Sequence, residues 1–256
     1  MKNIVIANWK MALDFKDATH IANMIKKNYE SVKNNLDLVL CPSFTAISAI
    51  VKVLGASSIR VGAQDCFWED KGGYTGEISP LDLKNIGCQY VILGHSERRK
   101  HLTETNAIIH RKCTMALKNS LIPILCVGEN WEERSNKQKD YVLISQITEI
   151  LEGITLNEEN KVIIAYEPVW AISTGEGIEA EPEEVGYAID VIRHVLVDLF
   201  NKDRVVHDFR FIYGGSVGSE NINTFLRVAN ISGVLVGSAT QKLNTFIDLL
   251  ESIDSA

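Results

Sequence analysis

The chain has 256 residues, 46% of them hydrophobic and 23% charged, an ordinary globular composition with enough apolar mass for a sizeable core. Its 26 basic and 33 acidic residues leave a net charge of −7, and no Lys/Arg run could follow a nucleic-acid backbone, so an anionic ligand must be met by local groups. The five cysteines, at 41, 66, 88, 113 and 126, are odd in number and lack Cys-x-x-Cys spacing, so reduced thiols in a cytoplasmic protein, without disulfide or metal, are expected.

The first apolar run, Ile4 to Ala7, starts too close to Met1 for the parts of a signal peptide, so none is expected, and no run reaches membrane-spanning length. It is strand-sized and leads into Asn8 and Lys10. Ala18, Ile21, Ala22 and Ile25 then predict a helix, and Leu38 to Leu40 and Ile59 to Val61 predict the next strands, the latter followed by Gln64. Tyr90 to Leu93 is followed by Gly94, His95 and Ser96-Glu97-Arg98-Arg99. This order places the imidazole at a helix amino terminus, where positive potential disfavours imidazolium.

Ile109, Cys113 and Ala116 predict a helix before the strand Ile122 to Val127, which leads into Glu129; Ile144, Ile147 and Leu151 predict another. Val162 to Ala165 runs into Glu167 and Pro168. Pro182 suits an early helical position, with Glu183 and Glu184 in the first turn and an apolar stripe through Val185, Ala188, Ile189, Ile192, Val195, Leu196 and Leu199. Phe211 to Tyr213 precedes Gly214-Gly215-Ser216, and Val234 to Val236 precedes Gly237-Ser238.

Strand-sized runs buried on both faces, alternating with helices along this length, predict one (β/α)8 barrel domain spanning residues 1–256. In such barrels chemistry gathers where strands end, so the polar residues after each run are the candidates. Glu167 reads as a general base desolvated by a closing loop or as a solvated loop carboxylate. His95 reads as a neutral donor or a structural histidine, and His20, His101, His110, His194 and His207 read as structural. Lys10, with Glu97 as its partner, is a buried ion pair, a source of substrate electrostatics, or both. The two glycine turns read as tight turns or as a phosphate rim, to which a short helix beginning near Ser238 would add its partial charge.

The ordered motifs Asn8-Trp9-Lys10-Met11, Val61-Gly62-Ala63-Gln64, Tyr74-Thr75-Gly76-Glu77, Gly94-His95-Ser96-Glu97-Arg98-Arg99, Pro123 to Glu129, Tyr166 to Ile172 and Tyr213 to Val217 resemble those of the triosephosphate isomerases. The resemblance implies a TIM barrel interconverting dihydroxyacetone phosphate and glyceraldehyde 3-phosphate in glycolysis and gluconeogenesis, without cofactor or metal. It implies Glu167 as base, His95 as neutral electrophile, and Lys10 and Asn8 supporting developing negative charge. Backbone N–H groups of Ser173, Ser216, Gly237 and Ser238 would hold phosphate beneath a lid from Pro168 to Ile178, with Trp170 anchored against Glu129. A homodimer is implied, Thr75 approaching the partner's site from the loop Gly72 to Glu77, with no nucleic-acid or membrane partner.

Ala12, Ser173, Ser232 and Ser238 depart from the family pattern, and so does the glycine-rich far hinge Glu176-Gly177-Ile178. If the lid tip closes through a positive φ, serine at 173 would weaken closure several-fold relative to glycine. The alternatives from other classes are a non-catalytic phosphate-binding barrel homologue and an aldolase-like lyase. Against the second, no lysine stands clearly at the sixth strand end for a Schiff base.

Overall fold

Eight strands hydrogen-bond in chain order, each parallel to the next, and the last closes on the first. In the computed structural model, which describes residues 2–30, 36–172 and 178–253, they are β1 (Asn3–Asn8), β2 (Leu36–Cys41), β3 (Arg60–Ala63), β4 (Tyr90–Leu93), β5 (Ile122–Val127), β6 (Val162–Tyr166), β7 (Phe209–Tyr213) and β8 (Ile231–Val236). The helices are α1 (Phe15–Tyr29), α2 (Ile47–Leu54), α3 (Pro80–Asn85), α4 (Ser96–Leu102), α5 (Asn106–Lys118) and α6 (Trp131–Ser135), followed by α7 (Lys139–Leu151), α8 (Pro182–Phe200), α9 (Lys202–Asp208), α10 (Ile222–Leu226) and α11 (Leu243–Glu251). This is the (β/α)8 barrel that the alternation predicts.

Successive strand side chains point to opposite faces. Ile4 and Ile6 of β1 therefore pack inside the barrel with Val39, Ile92, Ile124, Ile163 and Ile212, while Val5 and Ala7 join the layer beneath the helices. With both faces dry, the strands read as unbroken apolar runs rather than alternating ones. α1 buries Ala18, Ile21, Ala22 and Ile25 as its stripe predicts, and Asp14 caps it by accepting from Asp17 N–H at 2.8 Å. α8 opens at Pro182. Its stripe is buried through Leu196, while Val195 and Leu199 are only partly covered.

Two predicted elements need correction. In α7 the inward stripe is Leu143, Ile147, Ile150 and Leu151, and Ile144 is 45% exposed. Two overlapping apolar stripes share that helix, and spacing alone does not say which faces inward. β3 begins at Arg60 and runs to Ala63, because ladder hydrogen bonds are indifferent to the charge at one end and the glycine within.

β2, β7 and β8, by contrast, begin before their apolar runs, taking in Asp37, Arg210 and Ser232 at the amino-terminal rim. Arg210 donates to Lys2 O (2.6 Å) and Ser232 O (3.1 Å), and its nearest carboxylate, Asp37, stands 3.6 Å away. Ser232→Asp would set a second carboxylate against that guanidinium. We expect it to raise stability by about 0.5–1 kcal/mol, roughly 2 °C in melting temperature; a calorimetric midpoint that stays or falls would contradict this.

Candidate active site

Just beyond β1, Lys10 has φ of 51°, a left-handed conformation that costs a residue with a Cβ about 1 kcal/mol. Its neighbours over-determine it. The Lys10 N–H donates to Asn8 Oδ1 (3.1 Å), and Gln64, one residue past β3, donates from Nε2 to both Lys10 O (2.8 Å) and Cys41 O (2.9 Å). The Lys10 ammonium thus lies 2.6 Å from Glu97 Oε1, the partner anticipated from the sequence.

The exit from β4 is built on Gly94, whose φ is +72° and where a Cβ would lie 2.7 Å from Ile109 Cδ1. His95 follows as the N-cap of α4. Its Nδ1 accepts from Glu97 N–H at 3.3 Å, so a neutral ring carries its proton on Nε2, which sits 3.0 Å from Glu167 Oε1. The other oxygen of Glu167 accepts from Ser96 N–H at 3.1 Å.

Glu167 prolongs β6 by one hydrogen bond, from its N–H to Val127 O at 2.7 Å. Gly128 lies so close that a Cβ there would fall 2.0 Å from Glu167 O, so the neighbouring strand end admits only glycine. Past Pro168, Trp170 is buried and donates from Nε1 to Glu129 Oε1 at 2.8 Å. Glu129 is wholly buried, also accepts from Tyr166 OH at 3.1 Å, and the Arg134 guanidinium lies 3.8 Å over the Trp170 ring. The chain leaving Glu167 is bolted down on both sides.

Electrostatics in this pair differ from the sequence expectations. Burial alone would raise the proton affinity of Glu167, but His95 and the Ser96 N–H outweigh it and hold the carboxyl below its ordinary value. Burial likewise favours neutral His95, yet Glu167 at hydrogen-bond distance outweighs it and raises the affinity of the ring. Each group supports the charged form of the other, a stronger local influence than the first turn of a short helix.

Asn8, Lys10, His95 and Glu167 share one cavity with Gly214, Gly215, Ser216, Gly237 and Ser238, whereas Gln64 and Glu129, also at strand ends, do not line it. The Ser216 N–H donates to Ala171 O at 3.0 Å, because a backbone donor enclosed here takes the nearest carbonyl. The short helix expected near Ser238 is a 3-10 helix from Ser238 to Thr240, and α11 starts at Leu243. Ser173 lies outside the described residues, as do Thr174 to Gly177.

A wider groove of about 790 Å³ opens between Lys100 and Trp131, but Lys10, His95 and Glu167 do not line it. Among the described residues no group of three His, Cys, Asp or Glu side chains could hold a metal ion, and no helix is long and apolar enough to cross a membrane. All five cysteines are buried free thiols. The remaining histidines lie on α1, α4, α5, α8 and α9, away from the cavity. Sequence reasoning missed the clamp made by Gln64 and the Ser96 N–H on Glu167. The position of Gln64 after a strand was the only signal, since reach to two carbonyls leaves no pattern.

A family model described as Triosephosphate isomerase matches residues 3–253. Relatives named triosephosphate isomerase from Dictyoglomus turgidum and Dictyoglomus thermophilum are 41% and 42% identical over 253 residues, covering 98% of this chain and 99% of each relative. Another, from Dehalococcoides mccartyi, is 42% identical over 250 residues, covering 97% of this chain and 96% of its own. With the closed eightfold barrel and the strand-end cluster in place, the chain belongs to the triosephosphate isomerase family.

Proposed function

We propose that this protein is one barrel domain over residues 1–256 that interconverts dihydroxyacetone phosphate and D-glyceraldehyde 3-phosphate in glycolysis and gluconeogenesis, in the cytoplasm and without cofactor or metal. The observation that carries the reading is the 3.0 Å contact between His95 Nε2 and Glu167 Oε1 at the mouth of a cavity shared with Lys10 and two glycine turns. Glu167 turns from His95 to the substrate, takes the proton from C1 and returns it at C2. His95 gives its Nε2 proton to the C2 carbonyl oxygen and takes one back from the C1 hydroxyl, so that O1 ends as the aldehyde oxygen and O2 as the hydroxyl, and Lys10 and Asn8 support the enediolate charge as it forms.

The phosphate is held by the N–H groups of Gly237, Ser238, Ser173 and Ser216, the last exchanging Ala171 O for a phosphate oxygen. Closure of the segment after Pro168 keeps water from the enediolate, whose exposure would permit loss of phosphate. A coupled assay with glyceraldehyde 3-phosphate tests the reading. Phosphate binding without turnover would instead indicate a non-catalytic homologue.

The functional unit we propose is a homodimer. Phe67 is buried and stacks on Trp68 with centroids 4.0 Å apart, Tyr74 is 45% exposed at the loop from Gly72 to Glu77, and Met11 stands 95% exposed. The exposed ring of Tyr74 and thioether of Met11, with Phe67 packed beneath, suit a loop that enters a partner and brings Thr75 to its site. Sedimentation at assay concentration is expected to give a dimer, and dilution to the monomer is expected to abolish turnover; an active monomer would refute the arrangement.

A further inference from the structure

The β4·β5 ladder stops at the pair Leu93↔Leu125. The next pair in register would be Gly94 and Cys126, but Gly94 turns away with φ of +72°, leaving two carbonyls where ladder bonds would have continued. The side chain of Arg99, one turn into α4, takes up both. Its Nε–H donates to Gly94 O at 2.7 Å and Nη2 to Cys126 O at 3.3 Å, while Nη1 donates to Asn106 Oδ1 at 2.6 Å. Asn106 in turn donates to Glu149 Oε2 at 3.1 Å, tying α5 to α7.

From this geometry we infer that Arg99 is a positioning residue for His95, acting through the peptide that precedes it. The inference rests on the catalytic reading of His95 and Glu167. A planar guanidinium with several fixed donors replaces the missing ladder bonds and sets the Gly94 peptide, and hence the angle at which the His95 ring leaves the strand. The same ring is held on its far side by Glu97 N–H to Nδ1, so the two constraints together aim Nε2 at Glu167. A lysine keeps the charge but offers no fork that spans two carbonyls. The phosphate-binding turns after β7 and β8 lie outside this arrangement, which makes its effect separable from substrate capture.

Arg99→Met, Arg99→Lys and Glu167→Asp are compared by steady-state kinetics, inhibition by inorganic phosphate, and the ¹⁵N imidazole signals of His95. For Arg99→Met we expect kcat per folded molecule to fall about tenfold to a hundredfold, the loss typical of a displacement near 1 Å, with KM and phosphate inhibition within about twofold and the His95 signals shifted. Arg99→Lys should fall between it and the parent protein, and decides the matter alone if Arg99→Met does not fold. Unchanged kcat and unchanged His95 signals in the variant that folds would overturn the positioning role. If Glu167→Asp also turns over normally, the catalytic reading fails first; if only the Arg99 variants do, that reading stands and the inference falls.

Discussion

Glu167→Asp is expected to lower kcat by about a hundredfold or more, since one methylene fewer withdraws the carboxylate by over 1 Å from any atom the glutamate reaches. Glu167→Gln, which has no proton acceptor, should lose on the order of 10³ to 10⁴. In both variants inhibition by inorganic phosphate should persist, because three of the four proposed anion donors, at Ser216, Gly237 and Ser238, follow β7 and β8 while the base follows β6. A coupled assay on protein shown to be folded by circular dichroism measures this. Near-normal kcat in Glu167→Gln would remove the base assignment.

The coupling to His95 sets the direction of a pH effect. His95 is the largest influence opposing burial at Glu167. Replacing it by glutamine leaves burial dominant, so the carboxyl binds its proton more tightly and the acid limb of kcat/KM moves to higher pH. A limb moving to lower pH would mean that His95 does not hold the carboxylate in its charged form.

Lys112→Met should be the most damaging single change to stability away from the cavity, costing about 3–5 kcal/mol. Lys112 is 3% exposed on α5 and donates to Asp65 Oδ1 (2.8 Å) and Oδ2 (2.7 Å), and also to Glu104. Arg98 completes the cluster, 2.7 Å from Asp65 Oδ2 and 3.2 Å from Glu104 Oε1. Without the ammonium, two buried carboxylates share one partly exposed guanidinium.

In the parent protein burial pushes the Asp65 carboxyl up to about 6, so its contribution favours the fold below about pH 4 and is lost as pH rises through 6. Glu104 has the opposite sign. Burial is outweighed there by Lys112 and Arg98, its affinity is lowered, and its contribution is present above the ordinary glutamate value and lost as pH falls. Removing Lys112 raises both affinities, so protonation relieves the variant. The loss seen by urea denaturation should be larger at pH 8 than at pH 5, and an equal loss at both would point to packing rather than charge.

Barrel class, helix order and the strand ends carrying Lys10, His95 and Glu167 were legible because each rests on local pattern: apolar runs, three-and-four spacing and the polar residue that follows. Ile144 was misread because two stripes with the same spacing overlap on α7. The Lys112 cluster joins residues 47 and 8 positions apart, and long side chains that meet through a fold leave no period in the sequence. The sense of the shifts at His95 and Glu167 was missed for a related reason. Helix ends and burial can be guessed residue by residue, whereas a 3.0 Å pairing between β4 and β6 exists only once the barrel closes.

The ring is unevenly stitched. β1 meets β2 over six register pairs, whereas β3 is joined to β2 by Val39↔Arg60 and Leu40↔Val61 and to β4 by Gly62↔Tyr90 and Ala63↔Val91. Its weakest stave is therefore the one from which Gln64 reaches across to grip Lys10. A breathing motion that parts the ring at β3 would loosen the strained lysine before it reached the carboxylate on the opposite wall, so breathing and charge placement share one seam.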